Sequence, residues 1–474
     1  MSFKDEKIYS GMKALVKKSL AILDRNGFEF KYIEDSNIEV DLKNIPPISF
    51  LLNDKISRQI YSNSKIEEIE KTKEFAYTCD LVNKIPTFQS DFKWDDLSHF
   101  LIAYCNLKKD LEFDEDIFNG LYKRFEDKLY GKNYIMALCP LKKFYLETAE
   151  FVLDDEIKIR RIAHEELSFI NKEMAGNTLN KLDEIQFTIE YTYDENEFRK
   201  PRDADEWTWS AWQNATAICE KKFIEIVALL RLFKEKDGDF HNPLEIVQVP
   251  FWGTVPKGIH FNLCDRRIPE DRNYILKREE SEGFMEFYRK SLRVTDDIRM
   301  FIALERFNLA YEKKRFEDNI IDYVIAFEAL FGTKEKSRIG MRIELKSGFL
   351  VGDSKEKITE IYKFMHDLYD LRSSIVHGDV IKIPMKIGKE AYYSDYQLRS
   401  DIIEIFRKII RCFFDEGRTE DRKETFAIIE DELKSGENKD KSGEEMVESI
   451  YDKIQTKKKA PGVQPEHTSV GVLK

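Results

Sequence analysis

The chain has 474 residues, of which 42% are hydrophobic and 35% charged, with only 20 Gly and 12 Pro. This is the composition of a folded protein with room for about three domains, and it excludes fibrous and low-complexity chains. Its 77 Lys and Arg stand against 89 Asp and Glu, a net charge of -12, so no overall positive field draws it onto nucleic acid. Any RNA contact needs a local basic site.

The first 26 residues mix charges with short apolar groups and lack the continuous apolar core of a signal peptide. No run approaches the roughly 18 apolar residues of a membrane span, so the expected setting is cytoplasmic, with no membrane partner. Cys79, Cys105, Cys139, Cys219, Cys264 and Cys412 show no C-x-x-C spacing and read as reduced thiols. The 7 His form no H-E-x-x-H, and neither a P-loop nor a G-x-G-x-x-G is present. No metal and no cofactor is therefore expected.

In chain order, Tyr9, Met12, Leu15, Val16, Leu20 and Leu23 predict a helix over residues 7–25, stopped by Asn26-Gly27. Phe28, Phe30 and Tyr32, then Ile38, Val40 and Leu42, alternate as a hairpin does. Residues 65–175 read as mostly helical. Ile185, Phe187, Ile189, Tyr191 and Tyr193 predict a half-buried strand, residues 208–235 a long helix, and residues 244–251 and 259–263 two further strands. Beyond residue 290 the pattern becomes that of an antiparallel helical bundle. Its helices span residues 296–313 behind Thr295 as N-cap, 316–331 up to Gly332, 355–377 up to Gly378, and 397–414, with a smaller helix at 338–350. Residues 415–445 hold 12 acidic and 6 basic side chains, which suggests a solvated helix and then a disordered linker at residues 434–438. From Lys457 onward the chain lacks the apolar content for a fold. The expected class is α+β, predominantly α. The expected domains are a mixed, mainly helical 1–180, an α+β 181–290 (which also reads as continuous with the first), a bundle at 295–415, and an acidic helix with disordered tail at 416–474.

The segment from Leu368 to Gly378 (LYDLRSSIVHG) carries the most chemistry. It sets a permanent cation, Arg372, five residues from His377, the side-chain type that titrates near neutral pH, at the end of a helix. Five residues are about 140° and about 7.5 Å apart on a helix, so the two diverge in projection while their length lets them bend to a common groove. Cleaving RNA without a metal needs a base for the ribose 2′-hydroxyl, an acid for the departing 5′ oxygen and a cation for the crowded phosphorane. One Arg and one His supply part of that list, and two copies across a two-fold axis supply all of it. The spacing alone is weak evidence: Arg160 and His164, one helical turn apart, form a similar pair with nothing around them to make a site. The plain structural reading of Arg372 and His377 is an ion pair and a helix C-cap.

The string YDLRSSIVHG at residues 369–378, preceded by DYVIAFEALFG at 322–332, resembles the HEPN superfamily in its Apea-like branch, over roughly residues 295–415. The resemblance implies a metal-independent endoribonuclease with Arg372 and His377 as the catalytic pair. It implies supporting places for Glu328, Asp370 and Ser373, which stands where the motif often carries Asn, Asp or His. It further implies a homodimer through the bundle and a prokaryotic defence or toxin role, with residues 1–290 receiving an unknown trigger or regulator. The alternative is a catalytically silent HEPN module for dimerisation or RNA binding.

Contacts to RNA, tRNA among the candidates, are expected from Lys334, Lys336, Arg338, Arg342 and Lys346, with Lys313, Lys314 and Arg315 as a second cluster. A solvated helix face explains the first cluster equally well. The tryptophans at 207, 209, 212 and 252 read first as core, and as base-stacking groups only second.

Overall fold

The computed structural model describes residues 3–30, 56, 59–60, 63–86, 94–132, 134–163, 166–167, 185–194, 209–234, 240, 246–250, 259–260, 273–295, 297–332, 338–379, 381–382, 384–435 and 441–459. Within them the protein is α+β and predominantly α. The chain divides into two compact units: Met1–Phe223 with Gly238–Leu263 and Glu270–Arg278, and Ile224–Asp237 with Cys264–Pro269 and Glu279–Lys474. Residues 181–290, read from sequence as one α+β region, are thus shared between the two. No helix among the described residues is long and apolar enough to cross a membrane.

In the first unit, helices α1 (Glu6–Arg25), α2 (Asn63–Glu70), α3 (Lys73–Val82), α4 (Trp94–Lys108) and α5 (Glu115–Leu129) share one core. The carboxylate of Asp5 caps α1 by accepting from the amides of Lys7 and Ile8, and Gly27 at φ 66° closes it. The expected hairpin after Phe30 lies outside the described residues.

The sheet strands are β1 (Tyr134–Lys142), β3 (Glu150–Val152), β4 (Ile157–Arg161), β5 (Ile185–Asp194), β6 (Ile246–Pro250) and β7 (Ile259–His260), in the order β3-β4-β5-β1-β6-β7 with each neighbouring pair antiparallel. A short parallel pair joins β2 (Phe144–Leu146) to β8 (Tyr274–Leu276). Helix α6 (Trp209–Phe233) falls where the sequence predicts it.

The strands between residues 134 and 161 correct the helical reading of 65–175. β1 is buried on both faces and reads as a continuous apolar run, so it gives no period-two signal. β5 differs from expectation too, because Thr188 and Glu190 on its polar face are also buried. Glu190 is held there by Arg160 and Lys158 of β4.

The second unit holds α7 (Ser281–Ser291), α8 (Ile298–Glu312), α9 (Phe316–Phe331), α10 (Ile339–Val351), α11 (Lys355–Val376), the hairpin β9 (Met385–Ile387) and β10 (Glu390–Tyr392), α12 (Asp395–Phe414), α13 (Thr419–Lys434) and α14 (Gly443–Lys459). Asp297, rather than Thr295, caps α8. The buried stripe of that helix is Met300, Ala303, Leu304 and Phe307, which leaves Ile298 65% exposed at the start of the helix. Phe307 stacks on Phe406 of α12 at 4.9 Å, and Phe327 of α9 meets the same ring edge-on at 5.3 Å.

The end of α6 belongs to this unit. Arg407 donates to the carbonyl of Leu232 (3.0 Å) and Arg411 to that of Phe233 (2.9 Å), so two cations sit on the negative end of that helix. Buried Arg231 bonds Asn308 at 2.9 Å and pairs with Glu312.

The acidic stretch after residue 415 also differs from expectation. It forms two helices whose few apolar residues, Ile429, Leu433, Met446, Val447 and Ile450, are buried on Leu345, Ile358 and Tyr362. Charge on the remaining faces hides this seam in the sequence. Ion pairs flank it, Lys355 with Glu448 at 2.5 Å and Lys363 with Glu444 at 2.7 Å. Gly443 starts α14 against the Tyr362 ring, where the hydroxyl leaves no room for a Cβ. The linker residues 436–440 and the tail from residue 460 lie outside the described residues.

Replacing Phe406 by Ala removes the ring on which α8, α9 and α12 converge. It is expected to cost about 3–5 kcal/mol in urea unfolding, with the slope unchanged.

Candidate functional site

Helix α11 starts at Ser354, whose hydroxyl accepts from the Lys357 amide at 3.2 Å. It buries Ile358, Ile361, Tyr362, Met365 and Leu368. That apolar stripe sets the rotation of the helix and so decides which polar side chains face outward. At the far end the His377 amide bonds the Ser373 carbonyl, and the amides of Gly378 and Asp379 bond the carbonyls of Ile375 and Ser374, each at 3.0 Å. Gly378 takes φ 91°, a left-handed turn that a Cβ would strain, so the helix stops where its sequence predicts.

On this frame the two members of the expected catalytic pair differ in exposure. His377 is the C-cap residue and is exposed, as are Asp370 and Val376, and Ser373 is half-buried. Arg372 is half-buried, with Nε shielded from solvent and without a hydrogen-bond partner among the described residues. Its guanidinium and the Glu328 carboxylate of α9 both act electrostatically on the hydroxyl of Tyr369, one turn earlier. Burial first, and Glu328 next, push the Tyr369 phenol above its usual pKa, and Arg372 opposes them. Glu328 thus meets Arg372 through Tyr369. No hydrogen bond or ion pair joins Arg372 to His377 among the described residues.

Two of the cations expected to contact RNA are buried inside the subunit. Arg342 is 2% exposed and Lys346 4%, and both bind Glu430 of α13, Arg342 at 3.0 Å and Lys346 at 2.7 Å. Lys346 also reaches the Phe331 carbonyl at 3.4 Å and lies over the Phe426 ring at 4.9 Å. Burial pulls the Lys346 ammonium below its usual pKa against the pull of Glu430. Arg338, at φ 53°, donates to the Leu433 carbonyl at 3.3 Å. These cations lie under α13 because α13 is a packed helix and not a solvated one. Lys334 and Lys336 lie outside the described residues. In the second cluster, Lys313 pairs with buried Asp322 and Arg315 with Glu317 at 3.8 Å. The decoy Arg160 stands on a strand rather than a helix, bonded to Glu166 at 2.7 Å and to Glu190. His164, Trp207 and Trp252 lie outside the described residues.

A second imidazole on α11 emerges from the tertiary structure. His366 Nδ1 lies 3.1 Å from Glu344 Oε1 of α10, its Nε2 is 3.6 Å from Asp370, and its ring stacks on Tyr362 with centroids 6.2 Å apart. Tyr362 also acts on Glu344, so one carboxylate, itself 4% exposed, is shared by both side chains. Burial lifts the Glu344 pKa against the hydrogen bonds of His366 and Tyr362. Burial lowers that of His366, but the hydrogen bond and charge of Glu344, with Asp370 and Asp367, outweigh it and hold it above its usual value. The i, i+4 pairing of His366 with Asp370 is legible in sequence, whereas Glu344, 22 residues away, is not. Among the described residues no group of three or more His, Cys, Asp or Glu is placed to hold a metal ion.

Two outcomes follow for stability. Glu430→Ala strands two buried cations and is expected to cost about 3–5 kcal/mol in urea unfolding. His366, with a raised folded pKa, contributes stability that is full below the ordinary imidazole value and fades as pH rises through the folded value. His366→Gln is therefore expected to cost up to about 1 kcal/mol near pH 5.5 and less near pH 9, read from paired denaturation curves.

Comparison of the chain with family models, with curated proteins and with solved structures finds no match in any of the three.

Proposed function

We propose that this protein is a metal-independent endoribonuclease of HEPN type, acting in the cytoplasm as a prokaryotic defence or toxin effector. The carrying observation is that Arg372 and His377 occupy the last turn and the cap of α11, with the imidazole exposed at a helix end that Gly378 closes. An exposed imidazole at that position is available to a second chain or to a nucleic acid. Arg372 holds the scissile phosphate and offsets its transition-state charge, and His377 moves the proton as general base or acid. A homodimer through the bundle doubles the set, so that two cations and two imidazoles are available to one phosphodiester. The first unit then serves to receive a trigger or regulator, and RNA, with tRNA among the candidates, is the substrate.

A second reading has its own support. Arg342 and Lys346 are consumed inside the subunit and Arg372 faces Tyr369 and Glu328, which suits a catalytically silent module for dimerisation or RNA binding.

Purified protein incubated with total tRNA in a metal chelator separates the two. Cutting by the wild type that Arg372→Ala and His377→Ala each reduce at least about 100-fold, at unchanged melting temperature, supports the nuclease. Undiminished cutting by both variants, or binding without cutting, gives the second reading.

A further inference from the structure

Within one subunit the geometry of α11 carries the Arg372 head away from His377. Side chains on a helix lean toward its N-terminus, and the two residues are about 140° apart around the axis. Arg372 therefore extends toward Tyr369, on which its charge acts. Tyr369 lies about midway in rotation between Arg372 and His366, and His366 is about 9 Å of helix rise from Arg372 on this side. The charges of Glu344, which holds His366, and of Arg372 both act on the Tyr369 hydroxyl. Gly340 of α10 permits this approach, because a Cβ there would come within 3.2 Å of the Tyr369 ring. His366, Tyr369 and Arg372 thus follow one another at three-residue steps along α11, with Glu344 and Glu328 acting on the middle member of the row.

The His366 ring is oriented in the way a proton-transfer group requires. Glu344 Oε1 lies 3.1 Å from Nδ1, which suits a ring that donates from Nδ1 and keeps the Nε2 lone pair for a proton, on a side chain 49% exposed and 3.6 Å from Asp370. Tyr362 fixes the plane of the ring. The charged groups facing it are Glu344 from α10 and Asp367 and Asp370 from its own helix, while Glu444 of α14 acts on Tyr362 and is paired with Lys363.

Resting on the nuclease reading above, we propose that His366 is a further catalytic residue, the general base that works beside Arg372 in the same subunit, and that Glu344 is its positioning residue. His366 Nε2 takes the proton of the ribose 2′-hydroxyl. The 2′ oxygen forms a bond to phosphorus as the bond from phosphorus to the 5′ oxygen breaks, and the leaving 5′ oxygen takes a proton from the imidazolium of His377 in the partner copy. The products are a 2′,3′-cyclic phosphate and a 5′-hydroxyl, with no change of oxidation state.

The test uses the full-length protein and a fluorescently labelled single-stranded RNA in chelator. His366→Ala is expected to lower kcat at least about 100-fold with a smaller change in KM, and added imidazole to restore part of the rate. Glu344→Gln removes the interactions that raise the His366 pKa, so the acidic limb of the kcat/KM profile is expected to move to lower pH. Wild-type cutting by His366→Ala, while Arg372→Ala is dead, overturns this inference and leaves the nuclease standing. A loss that imidazole does not restore, together with an unmoved Glu344→Gln profile, also overturns it. Absence of cutting by the wild-type protein overturns the nuclease reading and this inference with it.

Discussion

The rotation of α11 about its own axis is the constraint on which the site depends. Ile358, Ile361, Met365 and Leu368 are buried to within a few per cent, so the helix cannot turn without exposing them. Burying such side chains is worth about 1.5–3 kcal/mol each, far more than any polar contact on the opposite face supplies. The polar residues consequently have no say in where they point. Tyr362, His366 and Tyr369 meet Glu344 and Glu328 because the apolar stripe has already aimed them there, and His377 emerges in solvent because the stripe has ended.

Basic side chains in this unit work as internal ties. Arg231, Arg342, Lys346, Arg399 and Arg407 are all nearly buried, each bonded to a carboxylate, an amide oxygen or a helix-end carbonyl. Arginine suits this use, since its planar fork satisfies several acceptors at once and stays charged. The arrangement costs desolvation, and leaving one partner out costs more. A cluster of cations in the sequence is therefore a poor guide to a nucleic-acid surface in this protein.

What could be read from sequence follows the range of the interaction. The helix from Phe316 to Phe331, and the stop of α11 at Gly378, depend on neighbours within two turns and are legible. β1 is not, because it is the strand between β5 and β6 and is buried on both faces, so its residues read as one apolar run without the alternation that would mark it. The seam of α13 and α14 is concealed for the opposite reason: five apolar residues suffice to bury it and charge dominates the composition. At the site, the position of Arg372 and His377 at a helix end was legible. The capture of Arg342 by Glu430 and the pairing of His366 with Glu344 each depend on residues far along the chain, and no local pattern announces them.

The same seam has a consequence in time. Ile358 and Tyr362 leave the ribosome some ninety residues before Met446 and Ile450, their eventual cover. At synthesis rates of about 5–20 residues per second, that apolar face of the nascent bundle stays wet for roughly five to twenty seconds. During that interval a chaperone or a neighbouring chain competes for the place that α14 later takes.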